Sequence, residues 1–220
     1  ASGKPAFPGR FQSDGEPFRI HTLERELELV RTLRENGARP VGIYPEIKDP
    51  QWHREEDVDI TLLVLDTLAR FGYTEHADPV YLQCFDEREV RRIRHDLGSE
   101  LKLVQLIGED NWSPEPTDFA AMQTTFGLEK LAETCDGIGP WLQQLYDGSE
   151  QSGQIESAGL VERAHSFGLA VHPYTFRADA LPAGFVDFDE LVAYCIKDLA
   201  VDGLFTDFPD LVFNILRRIS

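Results

Sequence analysis

The chain has few cysteines and methionines: its 220 residues include three cysteines and one methionine. The cysteines are widely separated, with no Cys-x-x-Cys pair and no cysteine–histidine cluster at zinc spacing. The sequence therefore predicts neither a disulfide framework nor a zinc site. No run of about 18 apolar residues occurs, so a transmembrane helix is not expected. The first residues also lack the apolar core of a signal peptide.

Basic residues are outnumbered, since 21 Lys and Arg stand against 39 Asp and Glu, a formal net charge of −18. A general nucleic-acid-binding protein needs a basic surface, and this composition argues against one. A small phosphorylated substrate needs only a local basic patch and remains compatible with this charge. Hydrophobic residues make up 42% of the chain, which is enough for a sizeable core.

Short apolar segments alternate with helical patterns along the chain. Strands that are apolar on both faces and separated by helices are typical of a parallel sheet covered by helices. No linker or internal repeat divides the sequence, so we predict one domain over residues 1–220, with residues 1–19 as a loop. The six predicted strands are 41–48, 79–85, 101–107, 136–140, 169–176 and 203–207.

Hydrophobic periodicity and the residues that start or stop helices predict the intervening elements. Loops are expected after Asp49-Pro50, where the chain is acidic, and over residues 148–153, which are rich in Gly and Ser. The predicted helices are 22–36, 57–71, 86–97, 119–124, 128–135, 141–146, 157–167, 189–199 and a last helix that Pro209 opens.

The first predicted strand ends in a carboxylate and an ammonium. Side chains two residues apart in a strand point to the same face, so Glu46 and Lys48 are expected to face one site. A carboxylate there can hold a hard divalent cation, and a lysine can neutralise a phosphate. A surface ion pair on an edge strand is the alternative interpretation.

Polar side chains stand at the ends of most predicted strands. In parallel α/β folds the carboxyl ends of the strands form the binding site, so the pattern predicts one shared site. His172 has two open interpretations, a hydrogen bond to substrate or a structural histidine. For Gln83 and Gln105, contact with substrate hydroxyls and hydrogen bonding to a loop are both open interpretations. Trp52 and Trp141 are candidates either for the wall of the site or for the core. The polar residues are Glu46, Lys48, Gln83, Gln105, Asp136, His172, Tyr174 and Asp207.

Five motifs lie in order along the chain: Tyr44-Pro45-Glu46-Ile47-Lys48, Tyr81-Leu82-Gln83-Cys84-Phe85-Asp86, Asp136-Gly137-Ile138-Gly139-Pro140, Val171-His172-Pro173-Tyr174-Thr175 and Gly203-Leu204-Phe205-Thr206-Asp207-Phe208-Pro209-Asp210. Together they resemble the glycerophosphodiester phosphodiesterase family, and in particular its bacterial periplasmic members. The resemblance implies a TIM-type (β/α)8 barrel that hydrolyses glycerophosphodiesters to glycerol 3-phosphate and an alcohol, within glycerol and lipid metabolism. It also implies a divalent cation, Ca²⁺ rather than Mg²⁺, two catalytic histidines, and a periplasmic or secreted location.

The resemblance implies a role for each residue that matches a motif. Glu46 would ligate the metal, and Lys48 would contact the phosphate. Phe85 and Tyr174 would line the substrate side of the pocket. Asp207 would shape the pocket rather than take part in the chemistry.

The sequence departs from the family pattern at its start. The family's His-Arg-Gly strand end, its Glu-x-Asp pair and its first His-Asp turn are absent, and with them both catalytic histidines. His95-Asp96 lies in a charged helix, which favours a solvated position. Because the six strands correspond to the third to eighth strands of the barrel, an N-terminally truncated chain is expected.

Two other functions remain open at this stage. A barrel without its acid and base could bind a phosphodiester or phosphate without hydrolysing it. A TIM-barrel enzyme of another family, such as an aldolase or a sugar-phosphate isomerase, is the third hypothesis. Against a Schiff-base aldolase, no lysine other than Lys48 stands at a predicted strand end.

Overall fold

The computed structural model describes residues 7, 10, 19–38, 41–112, 117–148 and 155–219. The chain forms two compact units, residues 1–39 and 40–220. In the first unit, helix α1 (Leu23–Glu35) begins after Thr22, whose hydroxyl accepts a hydrogen bond from the backbone N–H of Arg25. The loop predicted over residues 1–19 lies almost wholly outside the described residues, and one domain over the whole chain stays a prediction.

The second unit alternates strands and helices. Aspartate or threonine caps five of its helices by accepting a backbone N–H of the first turn, which fixes where each of them begins. Its elements are α2 (Pro50–Glu55), α3 (Ile60–Arg70), β1 (Tyr81–Cys84), α4 (Glu87–Arg91), β2 (Lys102–Ile107), α5 (Phe119–Met122), α6 (Thr125–Ala132), β3 (Gly137–Pro140), β4 (Tyr146–Gly148), β5 (Ile155–Ser157), α7 (Leu160–Ser166), β6 (Ala170–Val171), α8 (Phe188–Ala193) and α9 (Pro209–Ile219).

The main sheet is parallel and has the order β1-β2-β3-β6. Residues 41–48 extend it beyond β1, through parallel bridges that pair Ile43 with Val80 and Glu46 with Gln83. Residues 203–207 extend it at the other edge, where Thr206 pairs with Phe176. The six predicted segments therefore lie side by side in sequence order, although the first and last form bridges rather than full strands.

The row of six segments is strongly curved. Tyr44 lies in the first segment and Phe205 in the last, yet their ring centroids are 4.8 Å apart. In a flat sheet, five strand spacings would separate these segments by about 24 Å. Side chains from the two edges therefore meet on the concave face, as they do inside a barrel.

Two local predictions were wrong. The segment after Asp49 is helix α2 rather than a loop, because Asp49 takes a left-handed conformation and Pro50 occupies the first helical position. Where a helix was predicted over 141–146, residues 142–144 form a single 3-10 turn and the chain then enters β4. β4 pairs antiparallel with β5 and forms a small separate hairpin sheet.

Helices α4 and α8 end in the same unusual way. Each continues into a π-helical turn, Arg92–Asp96 after α4 and Tyr194–Asp198 after α8. The residue that follows soon after each turn is left-handed: Gly98 with φ 63° and Ala200 with φ 59°. The predicted helices 86–97 and 189–199 thus have the right length, but their last turns are wider than an α-helix.

A buried carboxylate holds the helices next to β1 together. Glu89 in α4 is 1% exposed. One of its oxygens accepts hydrogen bonds from Thr61 Oγ1 (2.6 Å) and Arg92 Nη1 (2.7 Å), and the other from Arg54 Nη1 (2.5 Å). Burial alone would raise the pKa of Glu89, but these three hydrogen bonds outweigh it and lower that pKa. We call Glu89, Arg54, Thr61 and Arg92 the Glu89 cluster; it ties α2 and α3 to α4.

Replacing Glu89 with glutamine should destabilise the fold. The change leaves two arginines facing a neutral group in a buried site, and we expect the free energy of unfolding to fall by about 3 kcal/mol at pH 7. Since the pKa of Glu89 is lowered, the contribution of the carboxylate is present above the normal glutamate range and is lost as pH falls. Urea denaturation at several pH values measures both effects.

The matched control is Glu133→Gln, which removes an exposed ion pair with Lys130 on α6. Exposed pairs of this kind contribute little, so its unfolding midpoint should match that of the parent protein. Equal midpoints for the two variants would contradict the role of the Glu89 cluster.

Candidate functional site

A pocket of about 690 Å³ opens beyond the carboxyl ends of residues 41–48 and β1. The chain leaves both strand segments at this point and continues into α2 and α4, so loop and helix starts form the walls. We call it the Glu46 pocket. It is lined by residues 46–52, Glu55, residues 84–86, Arg88, Trp112, Thr117 and Phe119.

Glu46 and Lys48 both line this pocket. The surrounding walls displace water from the Glu46 carboxylate and raise its pKa; Lys48 lowers it by a smaller amount, and Asp49 adds to the rise. Among the described residues, no hydrogen bond or ion pair engages the Lys48 ammonium. The pocket thus offers an incompletely solvated carboxylate and an available cation from one strand end.

Phe85 forms an aromatic wall of the pocket, and Tyr174 supports it from behind. The Phe85 ring meets Phe119 and Tyr174 edge to face, with centroids 6.1 Å and 5.8 Å apart. The Tyr174 hydroxyl donates to the carbonyl oxygen of Ile107 at 2.8 Å, and burial raises its pKa. Tyr174 therefore fixes the position of Phe85 and is not itself part of the lining.

The sequence and one solved structure relate the chain to known proteins. The family described as "Glycerophosphoryl diester phosphodiesterase family" matches residues 4–211. The chain belongs to this family. Glycerophosphodiester phosphodiesterases from Haemophilus influenzae and Treponema pallidum are 35% and 30% identical to it, over 99% and 97% of the chain. The chain spans 65% and 64% of the length of these two curated relatives.

A more distant relative agrees with this assignment, and a solved structure agrees with the fold. The Arabidopsis thaliana glycerophosphodiester phosphodiesterase GDPD6 is 27% identical over 96% of the chain, which spans 59% of that protein. A crystal structure of a protein assigned as a glycerophosphoryl diester phosphodiesterase from Agrobacterium tumefaciens superposes with a TM-score of 0.54. It covers 87% of this chain and 65% of its own, at 14% identity, and so supports the fold alone. The fold of the family is the TIM barrel, which agrees with the curved parallel sheet.

Besides Tyr174, three further motif residues with predicted roles lie outside the pocket lining. Gln83 is 7% exposed beside Glu46, and its side-chain oxygen has no hydrogen-bond partner among the described residues. The Asp207 carboxylate accepts a hydrogen bond from Arg177 Nε at 2.9 Å. His172 lies on the concave face of the sheet. Their predicted roles at the substrate stay predictions.

His172 is held by aromatic neighbours. Its Nδ1 is 2.9 Å from the Tyr44 hydroxyl, and its ring meets Tyr81 edge to face at 5.2 Å. A Cβ at Gly203 would be 3.0 Å from the imidazole, so glycine leaves room for the ring. Burial lowers the pKa of His172, although Asp202 acts in the opposite direction. These contacts favour the interpretation of His172 as a structural histidine.

Two polar residues of the predicted site belong to other parts of the fold. Gln105 is fully buried on the outer face of the sheet beside α4 and α6, where its amide donates to the carbonyls of Phe85 and Leu106 at 2.9 Å. Asp136 precedes β3, at the amino end of the sheet, and accepts from His76 and Arg94. The prediction that these side chains share the site was wrong. Gln105 lies on the face of the sheet that packs against the helices, and Asp136 lies at the end of the sheet opposite to the pocket.

Sequence reasoning missed other residues of the pocket, such as Arg88, Trp112 and Glu55. Trp112 stands in a polar loop and Arg88 in a charged helix, where neither is distinguished from a surface residue. Their positions depend on how α2, α4 and the loop after β2 pack together. Only Trp52, as one of two aromatics expected to wall either the site or the core, carried a usable signal.

The described carboxylates do not form a complete metal site. Among the residues that the structure describes, no group of three or more His, Cys, Asp or Glu side chains is arranged to hold a metal ion. Asp86 lines the pocket with Glu46, but its carboxylate caps α4 by accepting from Arg88 N and Glu89 N. Calcium normally takes six to eight oxygen ligands. Glu46 can supply one of them, and the others would have to come from water, substrate or groups outside the described residues.

No histidine belongs to the described lining of the pocket. The part of the chain that the structure describes also contains no helix that is long and apolar enough to cross a membrane.

The buried state of His172 should make stability depend on pH. The folded protein resists protonation of His172 below its usual pKa of about 6.5, whereas the unfolded chain accepts the proton. The free energy of unfolding should therefore fall as pH falls below about 6.5. His172→Gln should reduce this slope. A His172→Gln slope identical to that of the parent in urea denaturation would show that His172 is not buried in its neutral form.

Proposed function

We propose that the protein acts in the metal-dependent hydrolysis of glycerophosphodiesters, in which water and the diester yield glycerol 3-phosphate and an alcohol. In this proposal the Glu46 pocket receives the phosphodiester. The observation that carries it is the pairing of Glu46 and Lys48 at one strand end, on the wall of a pocket large enough for a small ligand. Membership of the phosphodiesterase family supports a phosphodiester as the ligand of this pair of charges.

Lys48 and Phe85 then have definite tasks in the pocket. The Lys48 ammonium offsets the negative charge of the phosphate, and it continues to do so as charge builds on the oxygens during hydrolysis. Phe85, fixed by Tyr174 and Phe119, excludes water from one side of the ligand. A bound cation would polarise a non-bridging phosphate oxygen.

We propose that Glu46 contributes one carboxylate ligand to this cation, and that the cation is Ca²⁺ rather than Mg²⁺, as the family resemblance implies. The raised pKa of Glu46 supports a cation-binding role, because a carboxylate that has lost part of its water is a favourable partner for a divalent ion. The same resemblance leads us to propose a periplasmic or secreted location.

A second candidate function is the binding of a phosphodiester or phosphate without hydrolysis. A specific observation favours it: the described pocket lining includes Lys48 but no histidine that could serve as acid or base. The two functions share one binding site, and a turnover assay separates them.

Variants of the two strand-end residues test the binding site. Lys48→Met should weaken the binding of glycerol 3-phosphate about tenfold, since it removes a charge-assisted contact. Glu46→Gln should weaken Ca²⁺ binding by about tenfold or more. When the pH is lowered, the Ca²⁺ affinity of the parent protein should begin to decrease while the pH is still above the usual glutamate range. The reason is that the pKa of Glu46 is raised, so its carboxylate is protonated earlier. Isothermal titration calorimetry measures these affinities.

The control for both variants is Glu162→Gln, which neutralises an exposed carboxylate of α7 outside the pocket. Its affinities for Ca²⁺ and glycerol 3-phosphate should equal those of the parent. If Glu46→Gln and Lys48→Met behaved like this control, Glu46 and Lys48 would not be the ligands we propose.

Turnover by the 220-residue chain should not exceed the background rate. General acid–base catalysis contributes about 10²–10⁴-fold, and no histidine of the described pocket lining is placed to supply it. Release of glycerol 3-phosphate from glycerophosphocholine, coupled to glycerol-3-phosphate dehydrogenase in the presence of calcium, measures the rate. Robust calcium-dependent release would mean that other residues of this chain perform the acid–base step, and His172 would be the first to replace.

A further inference from the structure

We propose that Gly108 and Gln144 are positioning residues of the Glu46 pocket, which hold the Trp112 ring where it contacts the bound ligand. Neither Gly108 nor Gln144 lines the pocket. The assignment rests on the proposed function, because the ligand is the phosphodiester, and it adds the residues that set one wall of the binding site. Three features lead to it: the place of Trp112 in the lining, the space that glycine leaves at position 108, and the hydrogen bonds of Gln144.

Trp112 is a wall of the pocket whose position is set by its neighbours. It lines the pocket and is 49% exposed, so part of the indole is open to a ligand. An indole offers a large, rigid surface for packing. The ring meets that of Trp141 with centroids 5.2 Å apart, and the Trp112 backbone N–H donates to the carbonyl oxygen of Glu109 at 2.9 Å. This wall therefore depends on the segment that leaves β2 and on the end of β3.

Gly108 lies where two aromatic walls of the pocket come together. It follows β2 directly and is buried. A Cβ at this position would be 2.8 Å from the Trp112 ring and 3.4 Å from the Phe85 ring. Gly108 is not among the glycines with a positive φ, so alanine could adopt the same backbone conformation. Glycine is therefore needed here for the space that it leaves to the Trp112 ring.

Three hydrogen bonds hold the backbone that carries Gly108. The carbonyl oxygen of Ile107 accepts from the backbone N–H of Trp141 at 3.0 Å and from the Tyr174 hydroxyl at 2.8 Å. The carbonyl oxygen of Gly108 accepts from the Gln144 side-chain amide at 2.6 Å. Because these bonds fix the backbone, a side chain added at position 108 has to displace the Trp112 ring instead.

Gln144 joins two strand ends through the two atoms of one amide group. Its oxygen accepts from the backbone N–H of Trp141 at 3.0 Å. Its nitrogen donates to the carbonyl oxygen of Gly108 at 2.6 Å and to the Glu109 carboxylate at 3.2 Å. A side chain needs both a donor and an acceptor at its tip to make these bonds, which an amide has and a carboxylate lacks. Gln144 thereby fixes the segment that carries Trp112 relative to Trp141.

Enlarging the side chain at position 108 tests the space beside the Trp112 ring. Gly108→Ala should weaken the binding of glycerophosphocholine about threefold, and Gly108→Val about tenfold, since residues in contact are energetically coupled. Calorimetric titration of the 220-residue chain in calcium measures both affinities. Affinities of both variants equal to that of the parent protein would overturn the role of Gly108.

A double-mutant cycle shows whether Gly108 acts through Trp112. In a Trp112→Ala background, Gly108→Ala should change the affinity for glycerophosphocholine much less than it does in the parent, because the ring that it displaces is gone. An equal loss of affinity in the two backgrounds would show that Gly108 acts by another route and would overturn the proposal.

Gln144→Glu tests the same wall without adding volume. The new carboxylate faces the carbonyl oxygen of Gly108 and the carboxylate of Glu109, so we expect the affinity for glycerophosphocholine to fall about fivefold. Adding Glu109→Gln removes one of these negative charges and supplies a donor in its place. The double variant should therefore recover part of the affinity. Parent affinity in Gln144→Glu, or a loss that Glu109→Gln leaves unchanged, would overturn the role of Gln144.

The tryptophan spectrum provides a measurement that needs no ligand. The chain has three tryptophans, so in a Trp52→Phe background the tryptophan signal in near-ultraviolet circular dichroism comes from Trp112 and Trp141. Gly108→Ala and Gln144→Glu should both reduce this signal, because they displace one ring of the pair. The control Glu162→Gln on α7 should leave it unchanged. A signal that neither Gly108→Ala nor Gln144→Glu alters would overturn the positioning of Trp112.

Two outcomes separate the positioning residues from the function on which they rest. Binding of glycerol 3-phosphate and glycerophosphocholine that depends on Lys48, but not on Gly108 or Trp112, would leave the phosphodiester function standing and overturn the role of Gly108. A tryptophan signal that changes as expected, in a protein that binds neither ligand, would support the positioning of Trp112 and overturn the phosphodiester function.

Discussion

The buried charge of Glu89 constrains the part of the molecule that forms the pocket. A carboxylate that is almost fully removed from water must be compensated by hydrogen bonds and opposite charge, or it destabilises the fold. Here the compensating groups come from α2, α3 and the π-helical turn that continues α4, so these helices are held in one relative arrangement. Because α2 also carries Trp52, one wall of the pocket depends on an ion-pair cluster whose buried carboxylate is not itself part of the pocket lining.

The curvature of the sheet is a second constraint, and it brings large side chains together on the concave face. Tyr44, Tyr81, His172 and Phe205 fill the space between the two edges of the sheet with rings that touch. The hydrogen bond between Tyr44 and His172 pairs the Tyr44 hydroxyl with His172 Nδ1 inside this packing. The interior is thus a packed aromatic layer, and the ligand pocket forms above it, where residues 41–48 and β1 end.

The sequence was informative about the order and direction of the strands, because strands that are apolar on both faces belong to a parallel sheet whose faces are covered. It was informative about Glu46 and Lys48 because strand periodicity places residues two apart on one face. The sequence could not assign Gln105 to the outer face of the sheet, since a one-residue shift in the register of its strand moves each side chain to the other face. Helix α2 escaped prediction because its start depends on the left-handed Asp49, and the ring of Trp112 reaches the pocket only through tertiary packing over Gly108.

The matching ends of α4 and α8 have a consequence for the evolution of stability. After each π-helical turn the chain passes through a left-handed residue, which is Gly98 after α4 and Ala200 after α8. A methyl group in this conformation costs on the order of 1 kcal/mol, which glycine avoids. Position 200 is therefore a place where a single glycine substitution could add stability without touching the ligand pocket. Gly98 already shows glycine in the same left-handed conformation at the equivalent point after α4.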